Sequence, residues 1–345
     1  MTNTNHRVAQ WATGNIGLKA LRGIIEHPSM TLAGVHVYDP NKVGRDAGEL
    51  CGLDPVGVAA TGKLEDVLAT NADCVLYMPR VFDLDDVCRL LESGSNVVAT
   101  CGVFHHPPSM DPAVRDRVEA ACRTGGTSVH STGSSPGFIS EAVPLVLTSI
   151  QRRLDKIIID EYADLSRRNS PEMLFDLMGF GRDLAPFEQF RADYLGASFG
   201  PSLRLIADAV GLPLDEVVAS GELATTPREL TIAAGTQKAG SVAGQRITIT
   251  GLREGRELIT FRATWYTTTD LDATWELGDT GWHIDIQGDA PLDVTLRMPI
   301  SLEQMAETTP AYTANRAVNL VEAVCAAPPG IRSVLELPLS TPTFG

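Results

Sequence analysis

Near the start of the chain, Ala12-x-Gly14-x-x-Gly17 places small residues at a spacing suited to an anion. Gly14 lets the main chain approach a pyrophosphate. Gly17 lets a following helix pack against the preceding strand, whose companion is a helix N-terminus offering free N–H groups. The spacing is the dinucleotide fingerprint with alanine at its first glycine. Its flanks agree: Arg7-Val-Ala-Gln-Trp-Ala12 is an apolar run short enough for a buried strand. Asn15–Glu26 reads as a helix with Ile16, Leu18, Leu21, Ile24 and Ile25 on its apolar side. An ordinary strand–helix turn shares this spacing, but the context at this point favours a phosphate site built by Thr13, Gly14, Asn15, Ile16 and Gly17.

A second charged group follows. Asp39 lies 22 residues past Gly17, where an acidic residue often holds the adenosine ribose hydroxyls. Lys42 and Arg45 come within the same loop and suit a 2′-phosphate instead. Asp39 favours NAD and the two cations favour NADP, so the sequence leaves the choice open; a solvated charged loop is the plainer alternative.

Proton chemistry points to Thr100-Cys-Gly-Val-Phe-His-His-Pro107. His105 is the candidate donor, because imidazole changes charge near neutral pH. His106 is expected to point away from it on an extended loop, which also argues against a metal pair. Cys101 reads as a small buried thiol rather than a nucleophile. Asp160, Glu161 and Asp164 share one strand, and alternation puts Glu161 and Tyr162 on opposite faces. Glu161 is the second candidate acid–base group. Asn169-Ser-Pro171 and Met178-Gly-Phe-Gly181 resemble substrate-loop material, and a pocket of Phe138, Met178 and Phe180 would suit a mainly apolar substrate. Trp265, Tyr266, Trp275 and Trp282 fit either a pocket wall or sheet packing.

These groups need positioning elements. Strands are expected at Thr31–Tyr38, Asp73–Met78, Asn96–Thr100 and Thr127–Ser131, with helices at Leu64–Thr70, Asp83–Ser93 and Asp111–Arg123. Such alternation means a parallel, doubly wound α/β sheet, with ligands beyond the carboxyl ends of its strands. Those ends bring Met78, Pro79, Thr100 and Cys101 towards a cofactor, with Ser135 and Pro136 in the turn after the last strand. Gly133-Ser-Ser-Pro-Gly-Phe138 marks a boundary and opens a helix at Phe138–Ile150. Beyond it, Lys156–Ala163 is a strand, Pro171–Gly221 a helical and loop-rich middle, and Arg246–Thr250, Leu258–Tyr266, Trp282–Gln287 and Leu292–Met298 antiparallel strands. Ala311–Ala327 is a helix. The expected division is a Rossmann domain over 1–137, completed by a helix and tail over 306–345, and an α+β domain with an open mixed sheet over 138–305.

Composition narrows the partners. The 345 residues carry a formal net charge of −15, which disfavours nucleic acid or an anionic membrane surface. No apolar run approaches the ~18 residues that span a bilayer. The segment Met1–His6 lacks signal-peptide character. Six scattered cysteines with no Cys-x-x-Cys pair suit a reducing cytoplasm without disulfides or zinc.

Val8–Gly17, Lys42-Val-Gly-Arg45, Asn96-Val-Val98 and Gly133-x-x-Pro-Gly-Phe138 together resemble the dihydrodipicolinate-reductase-like proteins, in the branch of 2,4-diaminopentanoate dehydrogenase and the native amine dehydrogenases. The resemblance implies an NAD(P)-binding Rossmann domain, a substrate domain whose sheet forms a homodimer, a final helix returning to the first domain, and reductive amination or its reverse. That branch carries a glutamate just after the Asn96–Thr100 strand, where this chain reads Cys101-Gly102-Val103. The chain is therefore expected to be an NAD(P)-dependent oxidoreductase acting on a C=N or C=O centre of a small, mainly apolar substrate, with His105 or Glu161 replacing that glutamate. The competing expectation is a nucleotide-binding module or regulator that has lost catalysis.

Overall fold

A computed structural model describes residues 5–343. They divide into two compact units, one running through Phe138 and resuming at Thr309, the other comprising Ile139–Thr308.

The first unit opens with β1 (His6–Trp11), α1 (Asn15–Glu26), β2 (Met30–His36), α2 (Ala47–Leu50), α3 (Leu64–Leu68), β3 (Cys74–Tyr77), α4 (Leu84–Glu92), β4 (Asn96–Ala99), α5 (Pro112–Gly125) and β5 (Ser128–Ser131). The chain comes back to this unit through α8 (Leu302–Asn319), α9 (Val321–Ala326) and β14 (Gly330–Ile331). Its strands form one sheet in the order β14-β5-β4-β3-β1-β2, with every pairing parallel. Strand order reverses between β1 and β3, the position where such sheets open a ligand crevice.

Alternation along the buried strands explains the two helical layers. Ala9, Trp11, Val75, Tyr77, Val97 and Ala99 face one core with Val87, Leu90, Leu91, Val118 and Ala121 of α4 and α5. Val8, Cys74, Leu76 and Val98 face the other, under Ala20 and Ile24 of α1 and Ala314, Ala317, Val321 and Val324 of α8 and α9. Both α4 and α5 are capped by their own aspartates: Asp83 accepts from the amides of Asp85 and Asp86, and Asp111 from those of Ala113 and Val114.

The second unit holds α6 (Val143–Thr148), β6 (Leu154–Asp164), α7 (Gln189–Ala209), β7 (Glu216–Thr225), the small hairpin β8 (Leu230–Ile232) and β9 (Gly235–Gln237), then β10 (Val242–Arg253), β11 (Arg256–Tyr266), β12 (Gly281–Gly288) and β13 (Leu292–Arg297). The main sheet is open and mixed, in the order β13-β12-β6-β11-β10-β7. Only β6 and β11 run parallel among its neighbours. Helix α7 covers one face, where Phe199 stacks on Phe261 with ring centroids 4.1 Å apart. The other face is polar: buried Asp160 accepts from Arg262 at 2.5 and 2.9 Å, and His283 lies between Asp160 and Asp293.

Three expected elements change. The stretch read as helical and loop-rich through Gly221 contains the first six residues of β7, an edge strand whose half-buried residues alternate with exposed ones. Gly221 leaves room there for the Phe187 ring, which a Cβ would meet at 2.2 Å. The helix expected over Phe138–Ile150 is irregular through Ala142, and α6 is only six residues long. Gly137 sits at φ +120°, outside any helix. The helix expected from Ala311 begins earlier, at Leu302, and breaks at Leu320.

Candidate functional site

The turn after β1 is held by side chains that close on the main chain. Fully buried Gln10 donates from its amide to the carbonyl oxygens of Ala12 (2.9 Å) and Trp11 (3.2 Å). Ala12 adopts φ +71°, the left-handed region that glycine occupies without cost. A Cβ on Gly17 would lie 2.2 Å from the Ala12 oxygen, so the helix approaches the turn as closely as only glycine permits. A Cβ on Gly14 would meet nothing within 4 Å. Gly14 caps α1 with no side-chain hydrogen bond, unlike the aspartate-capped α4 and α5. The first turn of α1 therefore offers its N–H groups to an open space.

That space is a cavity of about 470 Å³. Thr13, Gly14, Asn15, Ile16, Gly17, Asp39, Lys42, Met78, Pro79 and Thr100 line it, ten of the residues the sequence assigned to a cofactor. Arg45, Cys101, Ser135 and Pro136 do not line it. Arg45 is exposed and joins the fold there through its backbone, donating to Lys42 and accepting from Ala60. Beyond β5, the hydroxyls of Thr132 and Ser135 are buried without a hydrogen-bond partner among the described residues. Ala12, the first position of the fingerprint, completes the cavity wall with Tyr38 and Arg80, two residues that the sequence reading did not assign to it. Tyr38 is 58% exposed, yet its hydroxyl accepts from the Trp11 indole at 2.9 Å. Trp11 in turn stacks on His36 at 3.8 Å. Burial lowers the pKa of His36, which keeps this inner wall neutral at physiological pH.

The loop after β4 departs from expectation. It is not extended: 3₁₀ turns occupy Gly102–Phe104 and Pro107–Ser109. His105 ends the first with helical backbone angles, and both histidines are buried, at 2% and 7% exposure. The Phe104 amide donates to Ser131 Oγ, which itself donates to the Cys101 carbonyl, and these bonds fold the loop onto β5. His105 and His106 are therefore not turned apart by the extended backbone expected from the sequence. Cys101 is half-buried, and desolvation pushes its thiol up to about 11, so it stays protonated at neutral pH.

In the second unit, Glu161 is half-buried on β6 and accepts from the Trp282 indole at 3.0 Å. Trp275 donates to Glu222 and Tyr266 to the Gly278 carbonyl, so these aromatic side chains tie the sheet and its loops together. A cavity of about 150 Å³ is lined by Met178, Arg182, Phe187, Arg191, Leu223 and Gln245, among others. Of the expected apolar trio, Met178 alone lines it. Phe180 is fully buried in a core cluster with Leu165, Leu174 and Val242, turned inward by left-handed Gly179 and Gly181. Phe138 lies in the first unit, where Arg316 stands 5.6 Å from its ring centre. Glu141, 2% exposed, accepts from Ser202 Oγ at 2.6 Å; no sequence pattern marked it.

Comparison with known proteins extends these observations. Residues 138–345 match the 2,4-diaminopentanoate dehydrogenase C-terminal domain. The chain is 31% identical over 346 residues to an amine dehydrogenase of Streptomyces virginiae, covering 95% of both chains. It is 27% identical over 193 residues to 2,4-diaminopentanoate dehydrogenase of Acetoanaerobium sticklandii, covering 53% of this chain and 54% of the relative. The structure of an amine dehydrogenase from Mycobacterium smegmatis is similar in fold, with a TM-score of 0.76 at 20% identity over 99% of this chain and 98% of that one.

Proposed function

The chain belongs to the 2,4-diaminopentanoate dehydrogenase family, and from that premise we propose that it transfers hydride between a nicotinamide cofactor and the imine or carbonyl carbon of a small, mainly apolar substrate. Its dehydrogenase relatives support an NAD(P)-dependent oxidoreductase. The observation that carries the reading is the uncapped start of α1 facing the 470 Å³ cavity, with space at Gly14 for a pyrophosphate.

When bound, a nicotinamide cofactor would supply or accept the hydride. The protein's part is to bind, orient and manage one proton. The α1 amides would hold the diphosphate, and the orphan hydroxyls of Thr132 and Ser135 would be free to bond a carboxamide. Hydride delivery to a carbonyl carbon leaves charge on oxygen that must be protonated, whereas an iminium carbon needs no proton at that step. His105 is the proposed acid, with Glu161 second. Cys101 is unsuited to base chemistry because it remains a neutral thiol. Met178, Phe187 and Leu223 give the smaller cavity an apolar side that suits a small, mainly apolar substrate, beside the charged Arg182, Glu188 and Arg191. The resemblance supports a homodimer through the mixed sheet, and six free thiols support a cytoplasmic setting.

The test is a cofactor-oxidation screen with small ketones, with and without ammonia. Turnover only with ammonia supports amine chemistry, and turnover without it supports a ketone reductase. No turnover in either would favour the second reading, a nucleotide-binding module, which the carboxylate-free Cys101-Gly102-Val103 motivates.

A further inference from the structure

We infer that Lys42 selects cofactors carrying a phosphate on the adenosine ribose, so that this chain holds NADP in preference to NAD, and that Arg45 takes no part. The inference rests on the nicotinamide-cofactor reading above and deepens it.

The sequence alone set Asp39 against Lys42 and Arg45. In the structure their roles separate. One oxygen of Asp39, Oδ1, accepts from both the backbone amide and the side-chain amide of Asn41, at 2.9 and 3.0 Å. Asp39 thereby caps the 3₁₀ turn Pro40–Lys42. One carboxylate oxygen is thereby used in building the turn, and Oδ2 stays open as an acceptor. That turn sends Lys42 back across the glycine loop. Its ammonium donates to the Thr13 carbonyl at 2.9 Å and to the Thr13 hydroxyl at 3.2 Å. Two of its three N–H donors are used, and one remains.

Lys42 is half-buried and lines the large cavity together with Thr13 and Asp39. No carboxylate among the described residues forms an ion pair with it, in a chain whose net charge is −15. Arg80, on the same cavity wall, is also without an ion-pair partner among the described residues. A cation fixed by neutral acceptors at the end of β2 is arranged for an anion that arrives from outside. At this position on a parallel sheet, that anion is the group borne by the adenosine ribose. Arg45 lies outside the cavity and is exposed, so its charge is screened by water.

The test is calorimetric titration of the full chain with adenosine 2′,5′-bisphosphate and adenosine 5′-monophosphate, then with NADP and NAD. The wild type should bind the 2′-phosphorylated member of each pair about tenfold tighter or more. Lys42→Ala should weaken that member by about tenfold to a hundredfold and leave the other little changed. Lys42→Gln, which keeps a donor for Thr13 but no charge, should do the same with an unchanged melting temperature. Arg45→Ala should match the wild type. Equal binding of both members by the wild type, equal losses in the Lys42 variants, or a matching loss in Arg45→Ala would overturn the inference. Failure of all four ligands to bind would overturn the cofactor reading beneath it.

Discussion

The carboxamide of Gln10 donates to the carbonyl oxygen of Ala12 across 2.9 Å, and Ala12 is held at φ +71°. A fully buried side chain thus pins a residue with a Cβ in a conformation that costs an L-residue roughly 1–2 kcal/mol. The same oxygen stands where a Cβ on Gly17 would fall. Gln10 and Gly17 both close on that oxygen, and the strain is local to the turn.

Ala12→Gly should relieve that strain. The gain is partly offset by the freedom glycine adds to the unfolded chain, leaving about 0.5–1 kcal/mol. Differential scanning calorimetry should record a rise of roughly 1–3 °C in the transition that includes the first unit. A fall would mean that the Ala12 methyl contributes more packing than its backbone strain removes.

Gly14→Val and Gly17→Ala should fail differently. Gly14→Val points into open space, so the fold should persist while a branched side chain fills the room of the pyrophosphate. Calorimetric titration should find no binding of NADP or NAD to a normally melting protein. Gly17→Ala meets a backbone oxygen at 2.2 Å and should lower the melting temperature instead. Unchanged affinity in folded Gly14→Val would remove the cofactor from this loop.

Cys101 should resist alkylation. Desolvation holds its thiol near 11 against an ordinary 9, so the thiolate is scarce below that range. The sign follows: the fold favours the neutral thiol, and the stability this group contributes is lost as pH rises from about 9 through 11. Peptide mass mapping after brief iodoacetamide treatment at pH 7.5 should find Cys101 less modified in the folded protein than after unfolding. Equal labelling of Cys101 in the two states would contradict the neutral thiol.

His105→Ala should lower kcat by about 10²–10⁴-fold, the usual size of a general acid–base contribution, with NADP affinity little changed. His105→Gln should retain the fold and the deficit. His106→Ala should act mainly on stability, because that ring is also buried. A His105→Ala enzyme with full activity on a substrate of the wild type would make Glu161 the first candidate acid.

What the sequence made legible was local. Ala12, Gly14 and Gly17 lie within six residues, and their spacing alone implies the turn, the helix and the open space at Gly14. Gln10 was invisible because its role depends on a side chain folding back on its own strand. Tyr38 and Arg80 reach the same wall from the ends of different strands, a meeting that only the sheet order creates. The loop at His105 misled for a similar reason: its compaction depends on Ser131, which is remote in sequence. Strand β7 was hidden by its edge position, where Glu216, Ser220 and Glu222 leave an alternation too polar to stand out from the helical segment before it.

The sheet of the first unit also sets an order of events during synthesis. Val8, Cys74, Leu76 and Val98 emerge early, but much of the layer that covers them comes from Ala314, Ala317, Val321 and Val324. The sheet edge at β5 waits still longer, for Gly330 and Ile331. A ribosome that has released the whole second unit has yet to release the residues that close the first. The nascent chain therefore carries an apolar sheet face only partly covered, by Ala20 and Ile24 of α1, until α8 and α9 are released. A chaperone that binds exposed valine and leucine has its longest opportunity there, and a chain cut short before α9 would keep that face open.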